Sequence, residues 1–426
     1  MKFKACVLRL SYLLVTAILL EASGIAASVN PPTLTHHTRP RKLNENQHAK
    51  RRMRTLAKSR VSTSHRAGTT AHPAVAHSST ARTAATRRRH HYSERFYTSS
   101  FATDVTEGDV TAGEDPVVRQ AAIEALGNMN GTVVAIEPTS GRILAMVNQR
   151  LALSGGAQPC STIKLSVALA ALTEGAIDSD TKVALGSGGH MNLTTALAKS
   201  NNAYFEAVGL KLGFEKVSYY AHQFGLGELA GYHILGEQLG TYPEEEISPK
   251  LGGVSKMCSF GEGISMTPLQ LGALVTAISN GGTLYYLQHP TNPEEVANFQ
   301  PRVKRHLDIA PIIPELSDGM AGAVTYGTAR KLRVNFNEES ILGKTGTCSH
   351  AGTRYGWFAS YANTNIGRIV TVVFIQGGRP SFGPKAAELA GRMYRNLYDH
   401  NFFVAGANGT TSTSTLEKIS APVSQQ

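Results

Sequence analysis

A chain of 426 residues is long enough for two domains if all of it folds. The net charge of +11 is unevenly shared: residues 39–95 hold fifteen Lys and Arg against two Glu, so the remainder is slightly acidic and basicity says nothing about the folded body. The four cysteines (Cys6, Cys160, Cys258 and Cys348) form no Cys-x-x-Cys pair, and with it go the zinc and thioredoxin-like signatures.

Residues 1–28 read as an export segment. Lys2, Lys4 and Arg9 precede the apolar run Leu10 to Leu20, and Ala26, Ala27 and Ser28 offer small residues for cleavage. The segment is a signal peptide or a short membrane anchor, and either one puts the body outside the cytoplasm, on the periplasmic or extracytoplasmic face of the cell membrane. Residues 29–112 are rich in Ser, Thr, Ala, Arg and His and poor in apolar residues, so they are expected to form a basic, disordered, low-complexity tether. Its charge suits an anionic membrane or wall polymer, or simply solvates it. An exported chain without interleaved aromatic residues is not a nucleic-acid binder.

The folded body is expected over residues 113–402, with a loose tail over 403–426. Helical spacing over Val117 to Met129 follows Pro116. Thr132 to Ile136 and Ile143 to Val147 read as a hairpin around Pro138-Thr139-Ser140-Gly141. Pro159-Cys160-Ser161-Thr162-Ile163-Lys164 then opens a helix that is apolar on all sides to Leu172, the mark of a buried helix. Leu193 to Leu212 is helical, interrupted at Ser200-Asn201-Asn202. Thr267 to Ser279 is another helix, and Pro290 to Pro314 is surface. After a helix over Ser317 to Tyr326 come strands at Ile341 to Cys348, Gly356 to Tyr361 and Ile369 to Ile375, then a helix over Pro384 to Tyr398. Short turns between the late strands imply an antiparallel sheet, so the class is α+β.

Ser161 and Lys164 lie three apart and share a helix face. A lysine buried in that helix loses water, which favours its neutral amine, and a neutral amine can take the proton of a serine hydroxyl. Ser-x-x-Lys alone is a weak signal, equally readable as a capping serine with a snorkelling lysine. Ser200-Asn201-Asn202 and Lys344-Thr345-Gly346-Thr347 have plain readings of their own, a cap cluster and an edge strand with a bulge glycine. All three in this order, each in its setting, are hard to obtain by accident.

From about Thr132 to Tyr398 the chain resembles the transpeptidase domain of penicillin-binding proteins, within the serine D,D-peptidase and β-lactamase superfamily. Gly131 to Pro138, Thr267-Pro268-Leu269-Gln270-Leu271, Asn280-Gly281-Gly282-Thr283 and Gly327-Thr328-Ala329 are similar to that family as well. The resemblance implies an antiparallel sheet flanked by helices with a helical subdomain. It also implies cross-linking or trimming of peptidoglycan stem peptides through a serine acyl-enzyme, β-lactams as covalent inhibitors, and no metal or cofactor. It gives Ser161 the nucleophile's role, Lys164 the base's and Ser200 a proton relay's. Asn202, Lys344, Thr345, Gly346 and Thr347 would hold substrate, the lysine as a cation for its carboxylate and Gly346 by admitting its backbone.

Cys160 stands where the family often carries glycine, and Cys348 directly follows Thr347. If the resemblance holds, the two flank one cleft, either as a disulfide or as two small buried thiols. The first 112 residues are too short and too polar for the glycosyltransferase region of bifunctional members or the pedestal of typical monofunctional ones. Two rivals stay open. One is a β-lactamase, for which Glu294 and Asn298 have a deacylating spacing but poor context. The other is a non-catalytic penicillin-binding sensor or scaffold.

Overall fold

The computed structural model describes residues 95–186, 188–362 and 368–405. The leader, most of the tether and the tail expected from sequence lie outside these residues. Among the described residues no helix is long and apolar enough to cross a membrane.

Helix α1 (Pro116–Leu126) starts on Asp115, whose carboxylate accepts from the backbone N–H groups of Val117 and Val118, with proline at the first turn. The hairpin β1 (Gly131–Glu137) and β2 (Arg142–Val147) follows. The last three strands are β3 (Ile341–His350), β4 (Thr353–Ala362) and β5 (Val370–Gly377). Together they make one sheet in the order β2-β1-β5-β4-β3, antiparallel throughout. Strand β3 is therefore an edge.

Alternation along the strands divides the core in two. Val133, Ala135, Val373 and Ile375 face α1 and α8 (Gly383–Asp399). Val134, Ile136, Val372 and Phe374 face the helices on the other side. Those include α2 (Lys164–Thr173), α3 (Leu193–Lys199), α4 (Asn202–Leu212), α5 (Gly253–Phe260) and α6 (Pro268–Asn280). Every residue of α2 from Lys164 to Leu172 is buried, as its all-apolar run demands. A further helix, α7 (Ile313–Thr325), precedes β3. The region Pro290 to Pro314 holds a short exposed helix, Pro293–Ala297, and the strand Arg302–His306.

Two expected boundaries move. Residues 95–112, assigned to the tether by composition, belong to the folded body. Phe101 bridges Met129, Ser100 Oγ accepts from Gly378 N–H at 2.9 Å, and Asp109 accepts from the N–H groups of Asn148 and Gln149 at 3.0 and 2.8 Å. This strap buries little apolar surface of its own. Its order comes from hydrogen bonds to elements already folded, which composition does not register. At the other end Phe403 is only 1% exposed and packs with α1 and α8, so the body extends past 402 to the short helix Phe402–Ala405.

Glu114 knots the strap to the sheet. Its side chain, 1% exposed, accepts from Arg119 Nη1 at 2.7 Å and Met146 N–H at 2.9 Å, and lies 2.9 Å from His289 Nε2. Removing one partner from a buried charged cluster strands the others. Glu114→Ala is expected to cost about 3 kcal/mol, read as a lowered urea midpoint. Val334→Ala, on an exposed side chain, is expected to stay within about 0.5 kcal/mol of the parent.

Candidate active site

A tight turn, Cys160–Ile163, carries Ser161 into α2. Lys164, the first residue of that helix, has no exposed surface. Its Nζ lies 2.7 Å from Ser161 Oγ, 3.1 Å from the Ser200 carbonyl oxygen, 3.4 Å from Ser200 Oγ and 2.6 Å from Asn202 Oδ1. Burial pushes the Lys164 amine down to about 7, against the opposing pull of Glu206.

Ser200 joins α3 to α4 in the left-handed region (φ 54°, ψ 44°). A non-glycine residue held there costs on the order of 1 kcal/mol or more. The reversal brings its carbonyl and hydroxyl to the same lysine, while Asn201 caps α4 by accepting from Tyr204 N–H. On the other side of Ser200, Lys344 Nζ of β3 donates to Ser200 Oγ at 2.8 Å and to the Thr345 carbonyl at 2.8 Å. Lys344 is wholly buried; desolvation, with the neighbouring Lys164 second, lowers its amine well below the usual lysine range.

Lys344 is buried and bonded to Ser200. A Cβ on Gly346 would stand 2.8 Å from the Pro159 carbonyl oxygen and 3.1 Å from Thr162 Cγ2. That glycine lets the Ser161 turn pack closely against β3. Thr345 Oγ1 and Thr328 Oγ1 are 2.6 Å apart, and Thr347 Oγ1 accepts from Gly383 N–H at 2.8 Å.

Cys160 and Cys348 form a disulfide with Cα atoms 5.5 Å apart. Cys160 takes φ 51°, the left-handed region that favours glycine, where the family often has one. The bridge thus fastens the Ser161 turn to the edge strand. Sequence reasoning gave no role to Thr328, although Gly327-Thr328-Ala329 stood out as a motif. Trp357 is buried, and its Nε1–H donates to the Gln158 carbonyl at 3.0 Å, three residues before Ser161. Glu294 and Asn298 lie exposed on or beside the helix Pro293–Ala297, and among the described residues no hydrogen bond joins them to the Ser161 cluster.

The family profile described as "Penicillin binding protein transpeptidase domain" matches residues 131–398. The chain belongs to that family. Stage V sporulation protein D of Bacillus subtilis is 28% identical over 256 residues, covering 50% of this chain and 39% of the relative. Peptidoglycan D,D-transpeptidase MrdA of Acinetobacter baumannii is 25% identical over 345 residues, covering 63% of this chain and 51% of the relative. The chain therefore spans about half or less of the length of these curated relatives. Pseudomonas aeruginosa PBP2, solved in complex with WCK 5153, superposes with a TM-score of 0.56 at 23% identity, over 68% of this chain and 77% of that one. That likeness establishes the fold.

The bridge is checked by alkylation. In unreduced, unfolded protein Cys258, buried and free in the fold, is expected to react, whereas Cys160 and Cys348 react only after reduction.

Proposed function

We propose that this chain is a penicillin-binding D,D-transpeptidase that acts on peptidoglycan stem peptides through an acyl-enzyme on Ser161. The observation that carries the reading is the hydrogen-bond arrangement of Lys164. The Ser200 carbonyl and Asn202 Oδ1 can only accept, so they occupy the two N–H groups of a neutral amine. Its lone pair is left for the hydroxyl proton of Ser161 at 2.7 Å.

The steps then follow. Lys164 takes the proton as Ser161 Oγ attacks the carbonyl of the penultimate D-alanine. The backbone N–H groups of Ser161 and Thr347 meet the oxyanion. Ser200, held between the two lysines, passes a proton to the leaving D-alanine, and the C–N bond breaks. Asn202 uses its Nδ2 donors on the substrate amide. The terminal carboxylate falls to hydroxyls on the edge strand. Thr347, already an acceptor to Gly383, keeps its own proton to donate, and the Thr345–Thr328 pair has one hydroxyl proton to spare. An amine from a second stem peptide then forms a cross-link, or water gives a trimmed peptide by carboxypeptidation. A β-lactam acylates the same serine, but its leaving group stays tethered.

Among the described residues no carboxylate is hydrogen-bonded to Ser161, Lys164, Ser200 or Lys344, and Glu206 is engaged with Lys256 at 2.6 Å. That arrangement supports slow deacylation over β-lactamase turnover. The body works outside the cytoplasm, where the leader would deliver it, and the basic stretch fits an anionic lipid or wall polymer.

Ser161→Ala is expected to abolish labelling by a fluorescent penicillin, and Lys164→Ala to slow it about a hundredfold or more. Because the neutral amine is the active form, the labelling rate should rise with pH to a plateau above about 7 and fall about tenfold per unit below it. A chromogenic cephalosporin should give one slow burst; rapid steady hydrolysis would favour the β-lactamase. Release of D-alanine from stem peptides separates the enzyme from a sensor, and its acceleration by an acceptor amine separates joining from trimming.

A further inference from the structure

Beside the Ser161 turn lies a concavity of about 360 Å³. One wall is Gly156 to Gln158, the segment that runs into Pro159 and Ser161, held by paired backbone hydrogen bonds between Ala157 and Met266. The facing wall is His350 and Tyr355 of the β3–β4 hairpin. Tyr355 stands opposite Cys348 in register, and the bond from Cys348 to Cys160 ties the two walls together. Glu262 also lines the pocket. One of its oxygens accepts from Gln158 Nε2 at 3.2 Å. Among the described residues no Lys, Arg or His forms an ion pair with it. A half-buried carboxylate partnered only by a neutral amide keeps its charge uncompensated, in a recess of ligand-pocket size.

We propose that this pocket receives the second substrate, a peptide side chain ending in an ammonium group, and that Glu262 supplies its counter-charge. The inference rests on the transpeptidation reading, which needs an amine within reach of acylated Ser161. The alkyl stem lies against Tyr355 and the charged head meets the carboxylate on the approach. To react, the ammonium gives one proton to water. Its nitrogen then bonds to the acyl carbon, the ester bond to Ser161 Oγ breaks, and the second proton moves to that oxygen, leaving an amide and a free serine. Glu262 would thereby raise the share of acyl-enzyme resolved by amines over water.

The test separates this site from the acylation chemistry by using full-length Ser161→Ala protein. It is titrated calorimetrically with a peptide bearing a free side-chain amine and with the same peptide acetylated at that amine. The free amine is expected to bind about tenfold more tightly, and the preference to vanish when Glu262→Gln is added. Glu262→Asp, which keeps the charge, is expected to retain most of it. Equal affinities for the two peptides, or a preference that survives Glu262→Gln, overturns the assignment. Penicillin labelling of the unsubstituted chain tests the acyl-enzyme independently, so a failure of that reading is a different result from a failure here.

Discussion

The arrangement depends on keeping one amine dry. Lys164 opens a helix that is buried on every side, and water is its usual means of holding a proton. Deprived of it, the amine has a carbonyl, an amide oxygen and two hydroxyls as hydrogen-bond partners among the described residues. Among the described residues no carboxylate bonds to it, and Glu206, which pulls its proton affinity upward, is bonded to Lys256 and Ser259. The site is therefore poised by exclusion. An acid placed beside Lys164 would fix its proton, and an opening to solvent would restore it.

The scaffold secures this condition from three directions. The sheet presents β3 as an edge, from which Lys344 reaches Ser200, and among the described residues no further strand pairs with its outer side. The left-handed Ser200 turns the end of α3 back onto Lys164. Gly346 allows β3 to come up against Pro159 and Thr162, and the Cys160–Cys348 bond fixes that approach covalently. Of the two lysines converging on one serine hydroxyl, Lys164 disfavours the charge of Lys344, and desolvation acts on both in the same sense.

Much of this was legible in the sequence because short spacings survive folding. Ser161 and Lys164 are a helical turn apart, and the break at Ser200 shows as polar residues inside an apolar run. The β-branched strand at Ile369 to Ile375 and the all-apolar helix after Lys164 announce their own burial. What was not legible depends on who faces whom. Nothing in Lys-Thr-Gly-Thr says that its lysine is enclosed and bonded to a serine 144 residues earlier. Nor does it say that its glycine makes room for protein. The strap over residues 95–112 was misread because composition measures what a segment can bury alone, and this one takes its order from Gly378, Asn148 and Gln149.

That strap also fixes where a pull on the preceding chain would arrive. Tyr97 N–H donates to the Gly352 carbonyl, and the Thr98 and Thr353 hydroxyls lie 2.6 Å apart, both at the tip of the β3–β4 hairpin. Tension entering at residue 97 is thus delivered first to the loop that closes the hairpin carrying Lys344. The disulfide lies between that tip and the lysine, so a covalent tie to the Ser161 turn stands between the strap's point of attachment and Lys344.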